Sequence, residues 1–336
     1  MRENNPVTRK DVAARAGVST ATVSYVVNNG PRPVAVETRQ RVLQAIRELG
    51  YYPNELARSL KMKQTLTIGF VIPDLVNPYY ANLARQFEDL CFAKGYMVFV
   101  CDTHRDQGKE VRIAESLRSK QVDGVAILLD AGSLEAAHIL EQAGIATVVM
   151  EHDSPNSHCV AIDDFNGGMI GTEHLLGLGH RRIAHIRQTS FTTSRRRYEG
   201  YLYAHQKMGL EVDPDYTVAC GYEFNAGIGA MNDLLSLPER PTAVFAHNDV
   251  IALSAIYAIG EAGLSVPDDI SVVGFDDIAE ASIIRPTLTT VSYPKSAVAR
   301  WAAQRLFDLI NDHSLAPTTE WLPTSLIVRH SSAKPR

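Results

Sequence analysis

From Leu66 onward the chain alternates short apolar runs with amphipathic stretches, and that rhythm restricts what it can fold into. LTIGFVIPD, YMVFVCD, VDGVAILL and IATVVMEHD are rich in Val and Ile with little polar interruption. A strand that is apolar on both faces must be covered on both faces, and helical crossovers between parallel strands supply that cover. Residues from about 79 to 94 and near 109 to 119 carry the helical spacing that such crossovers need. The rhythm restarts with a helical stretch near residues 168 to 178, followed by RRIAHIRQ, TAVFAHND and ISVVGFDD as further buried strands. Two α/β lobes are therefore expected over residues 65 to 336.

The head of the chain has another texture. Thr8 can cap a short helix in which Val12, Ala13 and Ala16 share a face, and Gly17 stops it. Ser19 then caps a second helix, where Val23, Val26 and Val27 turn inward while Thr20, Ala21, Ser24 and Tyr25 point elsewhere. Two short helices joined by so tight a glycine turn make a helix-turn-helix. A third helix is expected from about residue 36 to 49, with Val42, Leu43, Ile46 and Leu49 inward, so residues 1 to 50 form an all-α domain. The stretch from 51 to 64, YYPNELARSLKMKQ, is polar and too small for a core of its own; it reads as a linker that becomes helical only against a partner.

The net charge of −5 conceals an asymmetry. Residues 1 to 64 carry eleven Lys or Arg against five Asp or Glu, whereas the remainder carries twenty-two against thirty-three, so only the head suits phosphates. No apolar stretch of signal-peptide or membrane-spanning type is present, which points to a cytoplasmic chain with no membrane partner. Cys91, Cys101, Cys159 and Cys220 are widely separated and have no His at zinc-ligand spacing, so neither disulfide nor metal is expected.

In these segments the chain resembles the LacI/GalR family of bacterial regulators, from Thr8 to about His330. The matching motifs, in order, are KDVAARAGVSTATVS, ETRQRVLQAIRELGYYPNELARSL, IPDLVNPYYANLA, VDGV, GTEHLLGLGHRRIAHI, PTAVFAHNDVIALSA, VPDDISVVGFDD and RPTLTTV. The resemblance implies a helix-turn-helix domain followed by a periplasmic-binding-protein-like sensor of two doubly wound parallel-sheet lobes. It places lobe one at about 65–162 and 294–321 and lobe two at about 163–293 and 322–334, with three crossings between them. It implies a homodimer on a palindromic operator, whose DNA affinity a small effector controls, and no cofactor.

A recognition helix offers the side chains near its N-terminus to base edges, which makes Thr20, Ala21 and Tyr25 the candidate readers. Ser19, Thr22, Ser24 and Asn28 would anchor phosphates or cap the helix. Tyr25 departs from the family, whose members commonly carry Arg there; packing on the helix end is its alternative role. Leu60 matches the family leucine that wedges into the minor groove beside its twin, with Ala57 and Arg58 alongside.

Ligands of doubly wound sheets bind beyond the carboxyl ends of the strands. Here those ends carry Asp74, Asn77, Asp102, Glu151, Arg187, Gln188, Asn248 and Asp276, a mixture that suits the hydroxyls of a sugar or sugar derivative. Family position singles out Arg197, Asn248 and Asp276 as anchors, with Tyr79, Glu151, Arg187 and Tyr222 as walls. Asp164, Asp249 and Asp277 are expected to satisfy backbone N–H groups instead. Purines and other metabolites remain alternatives, because a fold does not dictate its ligand. A transport solute-binding protein would lack the basic head, and an enzyme reading finds no GxGxxG after the first strand, no P-loop and no GxSxG elbow.

Overall fold

The computed structural model describes residues 7–27, 30, 32–52, 64–129, 133–188 and 192–336. The chain divides into two compact units, Met1–Thr65 and Leu66–Arg336. In the first, α1 (Arg9–Ala16), α2 (Thr20–Val27) and α3 (Val36–Leu49) enclose Val12, Ala13, Ala16, Val23, Val26, Val42 and Ala45, and Tyr51 closes the core. Thr8 opens α1 by a reciprocal arrangement: its backbone N and its hydroxyl both donate to Asp11 Oδ2, at 2.7 and 2.6 Å. Gly17 ends the helix in the left-handed region at φ 66°. Arg15 of α1 pairs with Glu48 of α3. Val42 and Ala45 are the fully buried residues of α3, while Val27, Leu43, Ile46 and Leu49, expected inward, are partly buried and pack against that core.

The second unit contains two six-stranded sheets. The first sheet is built from β1 (Thr67–Ile72), β2 (Met97–Asp102), β3 (Gly124–Leu128), β4 (Ala146–Met150) and β5 (His158–Ile162), joined late by β11 (Thr319–Leu322). The second uses β6 (Ile183–Gln188), β7 (Thr217–Cys220), β8 (Ala243–Ala246), β9 (Ser271–Phe275), β10 (Thr289–Ser292) and β12 (Ser325–Ile327). Their spatial orders are β11-β5-β4-β3-β1-β2 and β12-β10-β9-β8-β6-β7. All pairings are parallel except β10 with β12.

Alternation along the strands explains the layering. Ile68, Phe70 and Ile72 enter one apolar cluster while Val71 enters another on the opposite face, together with Val125 and Ile127 of β3. Helices α4 (Pro78–Phe92) and α11 (Lys295–Asn311) cover the first face, and α5 (Gln107–Ser119) and α6 (Glu135–Gln142) cover the second. In the other sheet, α7 (Asp164–Leu178) and α8 (Thr192–Lys207) pack together on one side, and α9 (Phe224–Leu235) with α10 (Asp249–Glu261) on the other. The chain passes between the sheets three times: after β5, after β10 and between β11 and β12. The C-terminal segment seals the second sheet, because the Ser331 carbonyl accepts from Val272 N at 2.7 Å and its hydroxyl accepts from Thr289 N at 2.8 Å. No described helix is long and apolar enough to cross a membrane.

Candidate functional site

Two places bring chemistry-bearing side chains together, one in each unit. On α2, Val23 and Val26 turn into the core, which leaves Ser19, Thr20 and Ala21 exposed and Thr22, Ser24 and Tyr25 half-buried. Ser19 Oγ accepts from Thr22 N at 3.1 Å and lies 2.9 Å from Thr22 Oγ1, so both hydroxyls are engaged at the helix start. Tyr25 lies against Gly30: its carbonyl accepts from Gly30 N at 3.0 Å, and a Cβ on that glycine would fall 2.6 Å from Tyr25 Cδ1. One side of the ring therefore packs on the chain, and the remainder is available outward. Asn28, Ala57, Arg58 and Leu60 lie outside the described residues.

The second place follows from topology. In each sheet the strand order reverses once, between β1 and β3 in the first and between β6 and β8 in the second. A crevice opens at the carboxyl ends of the strands flanking such a reversal. The two crevices face each other, and one cavity takes lining from Pro73 and Leu128 on one side and from Gln188, His247 and Asn248 on the other. Tyr79, Glu151, Arg197, Asn248 and Asp276 all line it. Its volume is about 30 Å³, room for one or two waters, so the lobes stand closed on each other.

Arg197, 4% exposed, organises the floor. Its Nε donates to Asp164 Oδ1 at 2.7 Å, its Nη1 donates to the His247 carbonyl at 2.7 Å, and its Nη2 stands 3.8 Å from Asp276 Oδ1. The guanidinium also stacks 3.5 Å from the Phe275 ring centroid. Burial opposes its charge, but Asp164 and Asp276 hold it firmly protonated. Helix α8, which carries Arg197, sits directly on α7, which carries Asp164: a Cβ on Gly200 would lie 2.2 Å from the Phe165 carbonyl, and one on Gly168 2.1 Å from the Arg197 carbonyl. Only glycine at both places permits that contact.

Asp276 and Glu151 hold unusual backbone conformations, at φ 107° and 57°. Each is secured by a strand-like bond, Asp276 N to the Val291 carbonyl at 2.9 Å and Glu151 N to the Val160 carbonyl at 2.7 Å. Desolvation raises the Asp276 carboxyl to about 6, with Arg197 opposing, so it stays largely ionised at neutral pH. Desolvation raises the Glu151 carboxyl to about 8, which keeps it protonated there. The Tyr79 hydroxyl bonds Glu151 Oε1, and the Tyr293 hydroxyl donates to Asp276 Oδ1 at 3.2 Å. Burial, reinforced by the Arg197 charge, holds His247 neutral.

Two expected wall residues lie elsewhere. Arg187 shares a strand face with His185 and turns toward the Tyr198 ring, 5.7 Å away, because alternation along β6 gives the inward place to Gln188. Tyr222 lines an adjoining outer cleft of about 380 Å³, where the Arg105 guanidinium lies 3.8 Å from its ring centroid. Asn248 Oδ1 is committed to capping α10, accepting from Ile251 N at 3.0 Å. Asp164 and Asp277 do not serve backbone N–H groups as expected; they pair with Arg197 and with Arg329, the latter at 2.6 Å. Asp249 does accept from Ile278 N, at 2.9 Å.

Comparison with known proteins decides what kind of molecule carries these sites. Residues 8–54 match the model of bacterial regulatory proteins, lacI family, and residues 172–332 match a periplasmic binding protein-like domain. The chain is 39% identical over 328 residues to the HTH-type transcriptional repressor PurR of Pasteurella multocida (strain Pm70), covering 96% of this chain and 98% of that one. The chain belongs to the lacI family. The ribose operon repressor of Escherichia coli (strain K12) is likewise 39% identical over 329 residues, covering 97% and 99% of the two chains. Among solved structures, the lac repressor dimer bound to operator and the anti-inducer ONPF superposes with a TM-score of 0.88 at 28% identity, over 98% of this chain and 100% of that one. A lacI-family regulator from Enterococcus faecium with bound ribose gives 0.72 at 28% identity, over 80% and 100%. As a lacI-family member the chain is a DNA-binding transcription regulator with an effector-binding domain, and not an enzyme.

Proposed function

We propose that this regulator is a cytoplasmic homodimeric repressor that reads a palindromic operator and releases or grips it according to a sugar or sugar derivative bound between its lobes. The DNA-binding unit spans residues 1 to 50, a hinge spans 51 to 64, and the sensor begins at 65. Thr20, Ala21 and Tyr25 face base edges from α2 while Ser19, Thr22, Ser24 and Asn28 hold phosphates. In the hinge, Leu60, flanked by Ala57 and Arg58, enters the minor groove, and only a second subunit's copy completes that wedge and the two-fold site.

The observation that carries the sensor reading is that Arg197 and Asp276 approach within 3.8 Å where two facing switch points meet. A fixed cation beside an ionised carboxylate offers its remaining terminal N–H groups as donors and the carboxylate as an acceptor to adjacent hydroxyls, and the tyrosines at 79 and 80 add ring faces. Asn248 and Glu151 complete the hydroxyl-binding set. Arg187 and Tyr222 act around the cavity rather than in it. A relative named for the ribose operon and a ribose-bound structure support a sugar. The cavity as it stands is too small for a sugar ring, so binding requires the lobes to part and to settle around the sugar further apart than they stand here.

Selection of duplexes from a random pool should return a two-fold symmetric site, and one sugar of a panel should change the affinity for it. Arg197→Lys keeps the charge beside Asp164 but loses the fork, so operator affinity should persist while the sugar response disappears. A full response in that variant would remove Arg197 from the effector site.

A further inference from the structure

Two buried polar side chains at the ends of neighbouring strands each leave one polar atom without a hydrogen-bond partner. Gln188 ends β6 and is 3% exposed; His247 follows β8 and is 4% exposed. The strands pair in parallel with Ile186 opposite Ala246, so both residues emerge at the same edge of the same crevice. Their backbones are fully engaged. Ser194 Oγ accepts from Gln188 N at 3.1 Å and donates to its carbonyl at 2.8 Å, while His247 N donates to the Ile186 carbonyl and the His247 carbonyl receives Arg197. Their side chains are not: Gln188 Nε2 and His247 Nδ1 are buried without a hydrogen-bond partner, and both residues line the inner cavity. His152 Nδ1, across the cavity on the other lobe, is in the same position.

An unpaired buried polar atom destabilises the fold, a cost that is tolerated where a ligand later supplies the partner. Packing offers no reason for an amide and an imidazole here. Leu at 188 would fill the same space at no such cost. We infer that Gln188 and His247 are specificity-determining effector contacts, the Gln188 amide donating to a ring or hydroxyl oxygen of the sugar and the His247 imidazole bonding a neighbouring hydroxyl. This rests on the sensor reading above and adds to it a second polar wall, distinct from the Arg197–Asp276 floor. The His247 imidazole, held neutral, keeps one ring nitrogen free to accept from a hydroxyl.

The test is isothermal titration of the full chain with D-ribose, D-xylose, D-glucose, D-fructose and D-ribose 5-phosphate. The sugar bound most tightly is then titrated, with its singly deoxygenated analogues, against Gln188→Leu, Gln188→Glu and His247→Phe. Thermal melts of the ligand-free proteins run in parallel. In the wild type at least one deoxy analogue should bind about tenfold or more weaker, the loss of one buried hydrogen bond. Gln188→Leu should weaken the parent sugar by a similar factor and bind parent and analogue equally, while its ligand-free melting temperature stays level or rises. A structural role would instead lower the melting temperature and leave the discrimination intact. If Gln188→Leu does not fold, that result itself contradicts the inference, and Gln188→Glu reads the contact independently by exchanging a donor for an acceptor. Unchanged affinity and discrimination in both the 188 and 247 variants would overturn the inference and leave the sensor reading standing. Failure of the wild type to bind any sugar would overturn both.

Discussion

At the level of single residues, the interlobe cavity sets several carboxyl groups close to the buried Arg197. Glu151, Asp164 and Asp276 converge near one guanidinium, and Asp249, raised well above the usual carboxylate range by its own burial, stands behind Asp276. Raised carboxyl groups bind protons more tightly in the folded state than in the unfolded chain, so their contribution to stability is fully present at low pH and is lost as pH rises through the folded value. For Glu151 the window runs from its ordinary 4.5 to about 8, and for Asp276 from 3.8 to about 6. Below about pH 6.5 the buried histidines, whose lowered values act in the opposite sense, offset this slope; above it the melting temperature of the effector-free protein should fall toward pH 8, and Glu151→Gln, which is neutral throughout, should flatten that fall. A melting curve that is flat across this range in the parent protein would contradict the assignment. At neutral pH the Glu151 carboxyl is a donor in a site whose other carboxylate, Asp276, is an acceptor; the pair thus presents both hydrogen-bonding senses to one ligand.

At the level of elements, the site depends on how closely two helices approach. Gly168 of α7 and Gly200 of α8 let the backbones touch, which brings Asp164 and Arg197 within one hydrogen bond. Gly200→Ala should push α8 away by enough to stretch that bond. The expected results are a loss of roughly 1–3 kcal/mol in stability from overpacking, and a weaker effector response with operator affinity retained. Chemical denaturation and a ligand titration check the two effects separately; Gly177→Ala, where a Cβ would meet nothing within 4 Å, serves as the control. The outward elements were the legible ones. Helix α3 spans residues 36 to 49 as its periodicity indicates, and β1 to β4, β6, β8 and β9 fall within the apolar runs that announced them, whereas the buried β5 and β10 were not marked. Strand facing was harder to read, because β6 is buried on both faces up to Ile186, and nothing local distinguishes the inward Gln188 from the outward Arg187.

At the level of the whole molecule, head and sensor are separate compact units. A fragment from residue 66 to 336 should fold, bind the effector with unchanged affinity and ignore DNA. The intact chain should lose DNA affinity steeply with salt, since Lys and Arg of the head displace counterions from phosphates; titration at several salt concentrations gives the slope. A salt-independent affinity would contradict a phosphate-anchored head. Within the sensor, three crossings couple the two sheets, and Tyr293, just past the second of them, bonds Asp276. Lobe closure and the carboxylate are thereby linked through one short segment of chain.

The sequence by itself determined the classes of element, the helix-turn-helix, the two α/β lobes and the strand ends at which the candidate site gathers, because periodicity, capping residues and strand termini are local properties. It also carried the family, through motifs spread along the chain. Only the tertiary structure decided which strand-end side chains meet. Asp164 became the partner of Arg197 rather than a backbone cap, Arg187 gave way to Gln188, His247 joined Asn248 from the end of the same strand, and Tyr293 came to bond Asp276 from a segment that no local pattern marks. Those outcomes depend on sheet order, on strand facing and on glycine-permitted helix contact, each set by residues far apart in the chain.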